Sequence, residues 1–278
     1  MLAGALCRKA GRIRSWEDVM KSPRMTIAAL ASLLVVLGLA GMTMPVKAAD
    51  ETTLTVLCSN GLKAVAEDLL PKFERATKHK VIVRYGLAAT LKQQIERGEA
   101  FDVAFVTPAA MDDLVKETKI AGDTRGTIAR SGLAVAIKAG ARKPDIKTTD
   151  AFKRALLDAK GIAYAKEGAS GVAFTALIAR LGIADALKSK SKLTATGEEV
   201  GEAVVKGEVE FGILPVSEIL PIKGAEMLAP FPADVQSYIV MVGGASGASK
   251  HGAAAKELIA FFMAPAALPV IKAKGMER

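Results

Sequence analysis

Cysteine, tryptophan and histidine are almost missing from this chain, whose 278 residues include two Cys, one Trp and two His. Cys7 lies in a leading segment read below as removable, so a disulfide within the mature chain is excluded. Cys58 closes an apolar run and reads as core rather than nucleophile. His79 stands where a helix meets a strand and His251 at a polar helix start, with no metal-ligand spacing between them or to Cys58. Both read as solvated surface, and no metal is expected. Aromatic residues make up only 5%, and the basic residues are spread along helices without a stripe, which excludes the stacking platform and positive track of a nucleic-acid binder. Nucleotide loops, nucleophile elbows and internal repeats are also missing, and no cofactor is called for.

What is plentiful is aliphatic: 51% of the residues are hydrophobic, enough for a large core rich in Ala, Val, Leu and Ile. Part of that content is a leader. Lys21 and Arg24 precede an uncharged run from Met25 to Val46, and Val46-Lys47-Ala48 presents small residues where a signal peptidase reads. Residues 1–48 therefore read as a secretory signal, with Met20 or Met25 as alternative starts and a periplasmic destination. Gly38, Gly41, Thr43 and Pro45 interrupt the run, against a stable membrane span. That segment holds seven of the 38 Lys and Arg and two of the 29 Asp and Glu, so the remainder nets +4 where the full chain nets +9. A mildly positive field suits a small anionic ligand.

The remainder alternates strand, turn and helix. Leu54–Cys58, Val81–Tyr85 and Phe101–Val106 read as strands, each followed by a turn and an apolar-striped helix, with Pro71 expected to kink the first helix and the second beginning at Thr90. Units of this kind build a parallel sheet whose ligands gather at the strands' carboxyl ends, which picks out Ser59, Asn60, Ala88, Ala89 and Thr107 as one rim. The loop AGARKPDIKTTD after Leu133–Ile137 suggests a lobe boundary. Thr196-Gly197-Glu198-Glu199 has the pattern of a capping box before a helix through Val200 and Val204.

The most informative stretch is Gly161–Gly182, GIAYAKEGASGVAFTALIARLG. Gly161–Ala165 reads as a buried strand, KEGASG as a tight turn with Ser170 as N-cap, and Phe174, Leu177, Ile178 and Leu181 as the inward stripe of a helix. Unpaired backbone N–H groups at such a helix start attract an anion, placing Ser170 and Gly171 in a candidate site. Simple capping of the helix is the alternative reading of the same Ser-Gly pair.

The order LTVLCSNGL, YGLAATLKQQIERG, FDVAFV, GASGV, EEVGEAVVKGEVEFGILPVSEI and AAKELIAFFMAP, taken together, resembles the periplasmic molybdate-type solute-binding proteins of ABC importers. The resemblance implies an α/β fold of two lobes, of the type II periplasmic-binding class, each a mostly parallel sheet flanked by helices, with the ligand cleft between them. Lobe I is expected at 49–130 plus 237–278 and lobe II at 131–236. The implied partners are a small anion, captured by hinge closure, and an ABC importer permease, with the binding protein a monomer. Where that family places a serine after the first strand and another after the second, this chain has Gly61 and Ala88, and its tyrosine position is Pro215. Ser170 and Val200 match positions offering backbone N–H groups. KPDIKTTDAFKRAL, IAYAKEGASGV and VSEI are also similar to a divergent branch that includes periplasmic aconitate isomerase. The expected ligand is therefore a small organic carboxylate more than a molybdate-like oxyanion. Isomerisation of a tricarboxylate is the alternative activity, with Glu167, Tyr85 and Glu218 as candidate proton-transfer residues.

Overall fold

The computed structural model describes residues 51–278, so the secretory signal read at residues 1–48 lies outside the described residues. The strands are β1 (Thr53–Ser59), β2 (Lys80–Gly86), β3 (Val103–Val106), β4 (Gly126–Lys138), β5 (Ile162–Ala165), β6 (Ser191–Thr194), β7 (Phe211–Pro215), β8 (Ala225–Pro230) and β9 (Tyr238–Ala245). The helices are α1 (Lys63–Thr77), α2 (Ala88–Glu96), α3 (Pro108–Lys116), α4 (Thr149–Asp158), α5 (Ala169–Arg180), α6 (Ala184–Lys188), α7 (Gly197–Lys206), α8 (Val216–Ile219), α9 (Gly252–Met263) and α10 (Leu268–Ala273).

The strands pair in the order β2-β1-β3-β9-β4-β7-β5-β6, with β8 attached to β4. Pairing is parallel among β1, β2 and β3, and again among β5, β6 and β7, as strand–turn–helix units require. The two long strands break that rule: β9 runs antiparallel to β3 and β4, and β4 antiparallel to β7 and β8. Thirteen residues let β4 serve both halves. Gly126–Gly132 pair with β9, and Leu133–Lys138 with β7 and β8. The change of partner falls at Gly132/Leu133, inside a strand and ahead of the AGARKPDIKTTD loop.

Burial follows the sequence pattern. On α1, Val65, Ala66, Leu69, Leu70 and Phe73 turn inward, and the helix continues through Pro71 to Thr77. The mostly apolar β3, VAFV, is buried on both faces, as a strand covered by helices must be. Phe152, Tyr164, Phe174 and Phe231 form a linked aromatic group in the second half, and Phe105 stacks on Phe262 in the first. Cys58 is fully buried, and desolvation, with Glu67 adding to it, pushes its thiol far above the ordinary range, so it is inert core.

Three expectations need correction. His79 is not solvated: it is buried against Phe73, with Nε2 3.5 Å from Glu257 Oε2 and Nδ1 without a partner among the described residues. His251, by contrast, is exposed as expected, and shares a 2.8 Å hydrogen bond with Thr52 Oγ1. The second helix begins at Ala88, earlier than the expected Thr90, and the fifth at Ala169, ahead of the expected cap Ser170. The caps, Leu87 and Gly168, make no side-chain bond, so no capping residue marks either start in the sequence.

Candidate functional site

The parallel strands β1, β2, β5 and β7 deliver their carboxyl ends to one place. There Ser59, Asn60, Gly61, Leu87, Ala88, Ala165, Gly168, Ala169, Ser170, Gly197, Pro215, Glu218, Ile239 and Met241 enclose a cavity of about 30 Å³. That volume holds one or two waters. Asn60, Gly197 and Glu218 also form one side of a larger chamber, about 280 Å³, whose other walls include Lys63, Glu67, Glu198, Ser217 and Ile222. The two spaces together approach the size of ordinary small-molecule sites.

Helix starts supply the inner cavity with donors. Gly168, in extended conformation, is the N-cap of α5 and offers no side-chain cap, so Ser170 is the second residue of the helix and not its cap. Gly168 N–H bonds Ala165 O, and the chain rejoins the helical ladder at Val172 N–H, which leaves Ala169, Ser170 and Gly171 N–H without a helical partner. Leu87 caps α2 equally bare. Gly171 explains why α5 lies so close: a Cβ there would overlap Ala165 O and sit 2.8 Å from its carbonyl carbon. Gly171 is thus pressed against the end of β5, behind the cavity.

Two hydroxyls face the space. Ser59 and Ser170 are each 5% exposed, both line the cavity, and neither hydroxyl has a hydrogen-bond partner among the described residues. Both oxygens keep some accessible surface, so they are open to hydrogen-bond a polar ligand in this cavity. A third, Ser217, is committed: its Oγ donates to Gly61 O at 3.3 Å and its N–H to Ser131 Oγ at 3.1 Å.

Glu218 is the titratable group of the inner cavity. Its carboxyl lies between two glycine backbones. A Cβ on Gly197 would overlap Oε2, and one on Gly61 would lie 3.8 Å from Oε1 and 2.6 Å from Met241 Cε. No residue among those described pairs with the carboxyl. Burial, reinforced by the charge of Glu198, raises its pKa to about 7. Glu198 in turn accepts from Lys63 Nζ at 3.1 Å, a link from α1 to α7 across the chamber mouth.

Of the residues singled out from sequence, Ser59, Asn60, Gly61, Ala88, Ser170, Pro215 and Glu218 meet at this cavity. Ala89 is exposed beside it, Thr107 caps α3 without a side-chain bond, and Glu167 is exposed; none of the three lines it. Val200 is fully buried in the core and its N–H bonds Thr196 O at 3.4 Å, so the free start of α7 is Gly197 instead. Thr196 does cap α7 as its pattern foretells, accepting from Glu199 N–H at 3.2 Å, while Glu199 accepts from Ala195 N–H at 3.0 Å. Tyr85 points its hydroxyl into the interior with no partner among the described residues, its pKa pushed up by burial and, secondarily, by Cys58 and Glu67; it stands outside the cavity, its ring 5.6 Å from Lys63 Nζ. Sequence reasoning passed over Leu87, Ala165, Gly168, Ala169, Gly197, Ile239 and Met241. The first five adjoin motifs already noted, but nothing in the sequence aims Ile239 and Met241 at the cavity. Among the described residues no group of His, Cys, Asp and Glu is arranged to hold a metal.

Two α/β halves joined by long antiparallel strands, with an amide-lined cavity at the strand ends, define the two-lobe periplasmic binding fold. Residues 54–277 match the family described as bacterial extracellular solute-binding protein, and the chain belongs to that family. It is 29% identical to an aconitate isomerase of a Pseudomonas species over 92% of this chain and 97% of that protein. It is 27% identical to a molybdate-binding protein of Azotobacter vinelandii, over 88% and 97% of the two chains. The solved structure of the Azotobacter vinelandii periplasmic molybdate-binding protein superposes with a TM-score of 0.68 at 21% identity, over 81% of this chain and 99% of that one.

Proposed function

We propose that this chain is the exported, monomeric receptor of an ABC importer and captures a small organic carboxylate between lobes spanning 49–130 plus 237–278 and 131–236. The observation that carries the ligand class is Glu218, an unpaired carboxyl beside free helix-start amides and the Ser59 and Ser170 hydroxyls. A tetrahedral oxyanion finds no side-chain hydroxyl at Gly61, Ala88 or Pro215, the positions where the molybdate-type proteins place theirs. A carboxylate accepts hydrogen bonds from the amides and hydroxyls that are present, and from Glu218 when that carboxyl is protonated. The partner change at Gly132/Leu133 within β4 supports the lobe boundary, and hinge closure over the cavity supplies the capture step.

Mass spectrometry of ligand co-purified with the exported protein, followed by calorimetric titration with cis-aconitate, citrate, molybdate and sulfate, tests this. Binding of a polycarboxylate with no submicromolar binding of molybdate is expected. The reverse preference refutes the reading.

One observation favours a second reading, tricarboxylate isomerisation: of the three candidates Glu167, Tyr85 and Glu218, only Glu218 lies in the cavity, poised near neutral pH. The similarity to an aconitate isomerase agrees with it. A base there removes a proton from a methylene beside a carboxylate and returns it two carbons away, moving the double bond. Incubation with cis-aconitate, followed by chromatography for trans-aconitate, decides: sustained turnover lost in Glu218→Gln establishes the enzyme.

A further inference from the structure

Glu218 occupies an unusual position for the site of an anion. It forms part of the partition between the 30 Å³ cavity and the 280 Å³ chamber, so a ligand at the Ser59 and Ser170 hydroxyls sits beside its carboxyl. The glycines at 61 and 197 leave the carboxyl no side chain to lean on, and no described residue pairs with it. The charged neighbours do not rescue it. From α1, Lys63 is committed to Glu198 and Glu67 adds a further carboxylate to the chamber; from α7, Glu198 adds another. Behind α8, Lys274 pairs with Asp68 at 3.3 Å, Arg130 of β4 with Glu277 at 3.0 Å, and Lys143 with Glu226 of β8 at 3.0 Å. The β7 strand contributes no titratable group, and β9 presents Met241. A ligand carboxylate placed against an ionised Glu218 would create two adjacent negative charges in a half-buried space, with no unpaired cation beside them among the described residues.

We propose that the site takes up its carboxylate ligand together with one proton, held on Glu218, which then donates a hydrogen bond to the bound anion. This rests on the organic-carboxylate reading above and adds to it a role for one residue and a pH dependence for capture. The desolvation that already raises Glu218 to about 7 in the empty site acts in the same direction and is strengthened by the ligand's charge. Glu218 enters the complex as an acid, the opposite state from the base an isomerase needs, so the geometry argues for capture over turnover.

The test uses cis-aconitate and calorimetry at several pH values, repeated in buffers of differing ionisation enthalpy so that bound protons are counted. Affinity is expected to fall about tenfold for each unit above pH 7, roughly 1.4 kcal/mol per unit, with close to one proton taken up per ligand at pH 8. Glu218→Gln supplies a permanent N–H donor of similar shape, so its affinity is expected to be flat over the same range and to exceed the wild type's at pH 8. Binding that is flat with pH and takes up no proton overturns the proposal and leaves the carboxylate reading intact. Wild-type turnover of cis-aconitate that Glu218→Gln abolishes overturns it in favour of the base. Failure of cis-aconitate and citrate to bind at any pH while molybdate binds overturns both readings.

Discussion

Gly197 and Glu218 are in mutual contact across the cleft of the second half: the start of α7 has no side chain, and the carboxyl of α8 fills the space a Cβ would take. The contact fixes where the acid points. Gly197→Ala would drive a flexible carboxyl toward the inner cavity, at small cost to the fold because only the end of a side chain must move. Calorimetry with cis-aconitate is expected to report at least a tenfold loss of affinity, about 1.4 kcal/mol, with a melting temperature within a few degrees of wild type. Unchanged affinity in a folded variant would separate Glu218 from the ligand.

Ser59→Ala and Ser170→Ala divide binding from stability. Because neither hydroxyl is paired with a described residue, removing it deletes no internal bond. Each variant is expected to unfold within about 0.5 kcal/mol of wild type, or slightly later, while losing about 1–2 kcal/mol of ligand affinity. Denaturant melts and calorimetry on the same samples check both halves. A loss of stability with unchanged affinity would make these serines structural.

The empty protein should itself respond to pH through Glu218. Its pKa is about 7 when folded and near 4.5 when unfolded, so the folded state binds more protons between those values. Stability is therefore greatest below about pH 4.5 as far as this group is concerned, and declines as pH rises to about 7. The loss is at most about 3 kcal/mol for a shift of this size. Denaturant midpoints compared between wild type and Glu218→Gln isolate the contribution. Parallel curves for the two would place the carboxyl in water.

How much of this was legible in the sequence depended on whether the signal was local. The strands and the turns at their carboxyl ends follow from apolar runs and glycine, so topology places Ser59, Asn60 and Ala88 at one rim, together with Ala89 and Thr107, which do not line the cavity. Thr196 was readable as a cap because a capping box is a four-residue pattern. The status of Gly171 was not, since its need arises from Ala165 O, which packs against it only once α5 lies down on β5. Val200 failed for a related reason: whether an N–H is free depends on which residue caps the helix, and here the carbonyl of the cap, Thr196 O, takes it one turn away. His79 looked like surface between a helix and a strand until Phe73 and Glu257 closed over it. Among Glu167, Tyr85 and Glu218 the sequence offered no way to choose. Only the long-range meeting of Gly61, Gly197 and α8 separates them.

Gly171→Ala should be costly for the fold, in contrast to the serine variants. The added methyl would overlap the Ala165 carbonyl oxygen, a backbone atom that cannot rotate away, so α5 must lift from β5. Overpacking of this kind costs about 1–3 kcal/mol or more, and ligand affinity should fall with it because the same shift moves the Ala169 and Ser170 amides. Denaturant unfolding that shows no loss would mean the helix start is looser than its packing indicates.

Export offers the last prediction. The first strand begins at Thr53, and the family match begins at residue 54, so cleavage after Ala48 or Ala49 removes no strand or helix of the described fold. The uncharged run from Met25 to Val46 and the Val46-Lys47-Ala48 site supply what a signal peptidase needs, while Gly38, Gly41 and Pro45 weaken the same run as a lasting membrane helix. N-terminal sequencing of protein recovered from the periplasm should therefore begin at Ala49 or Asp50, and that product should melt cooperatively and bind ligand without residues 1–48. A membrane-bound product that keeps Met25–Ala48 would show that the run anchors the receptor instead of releasing it.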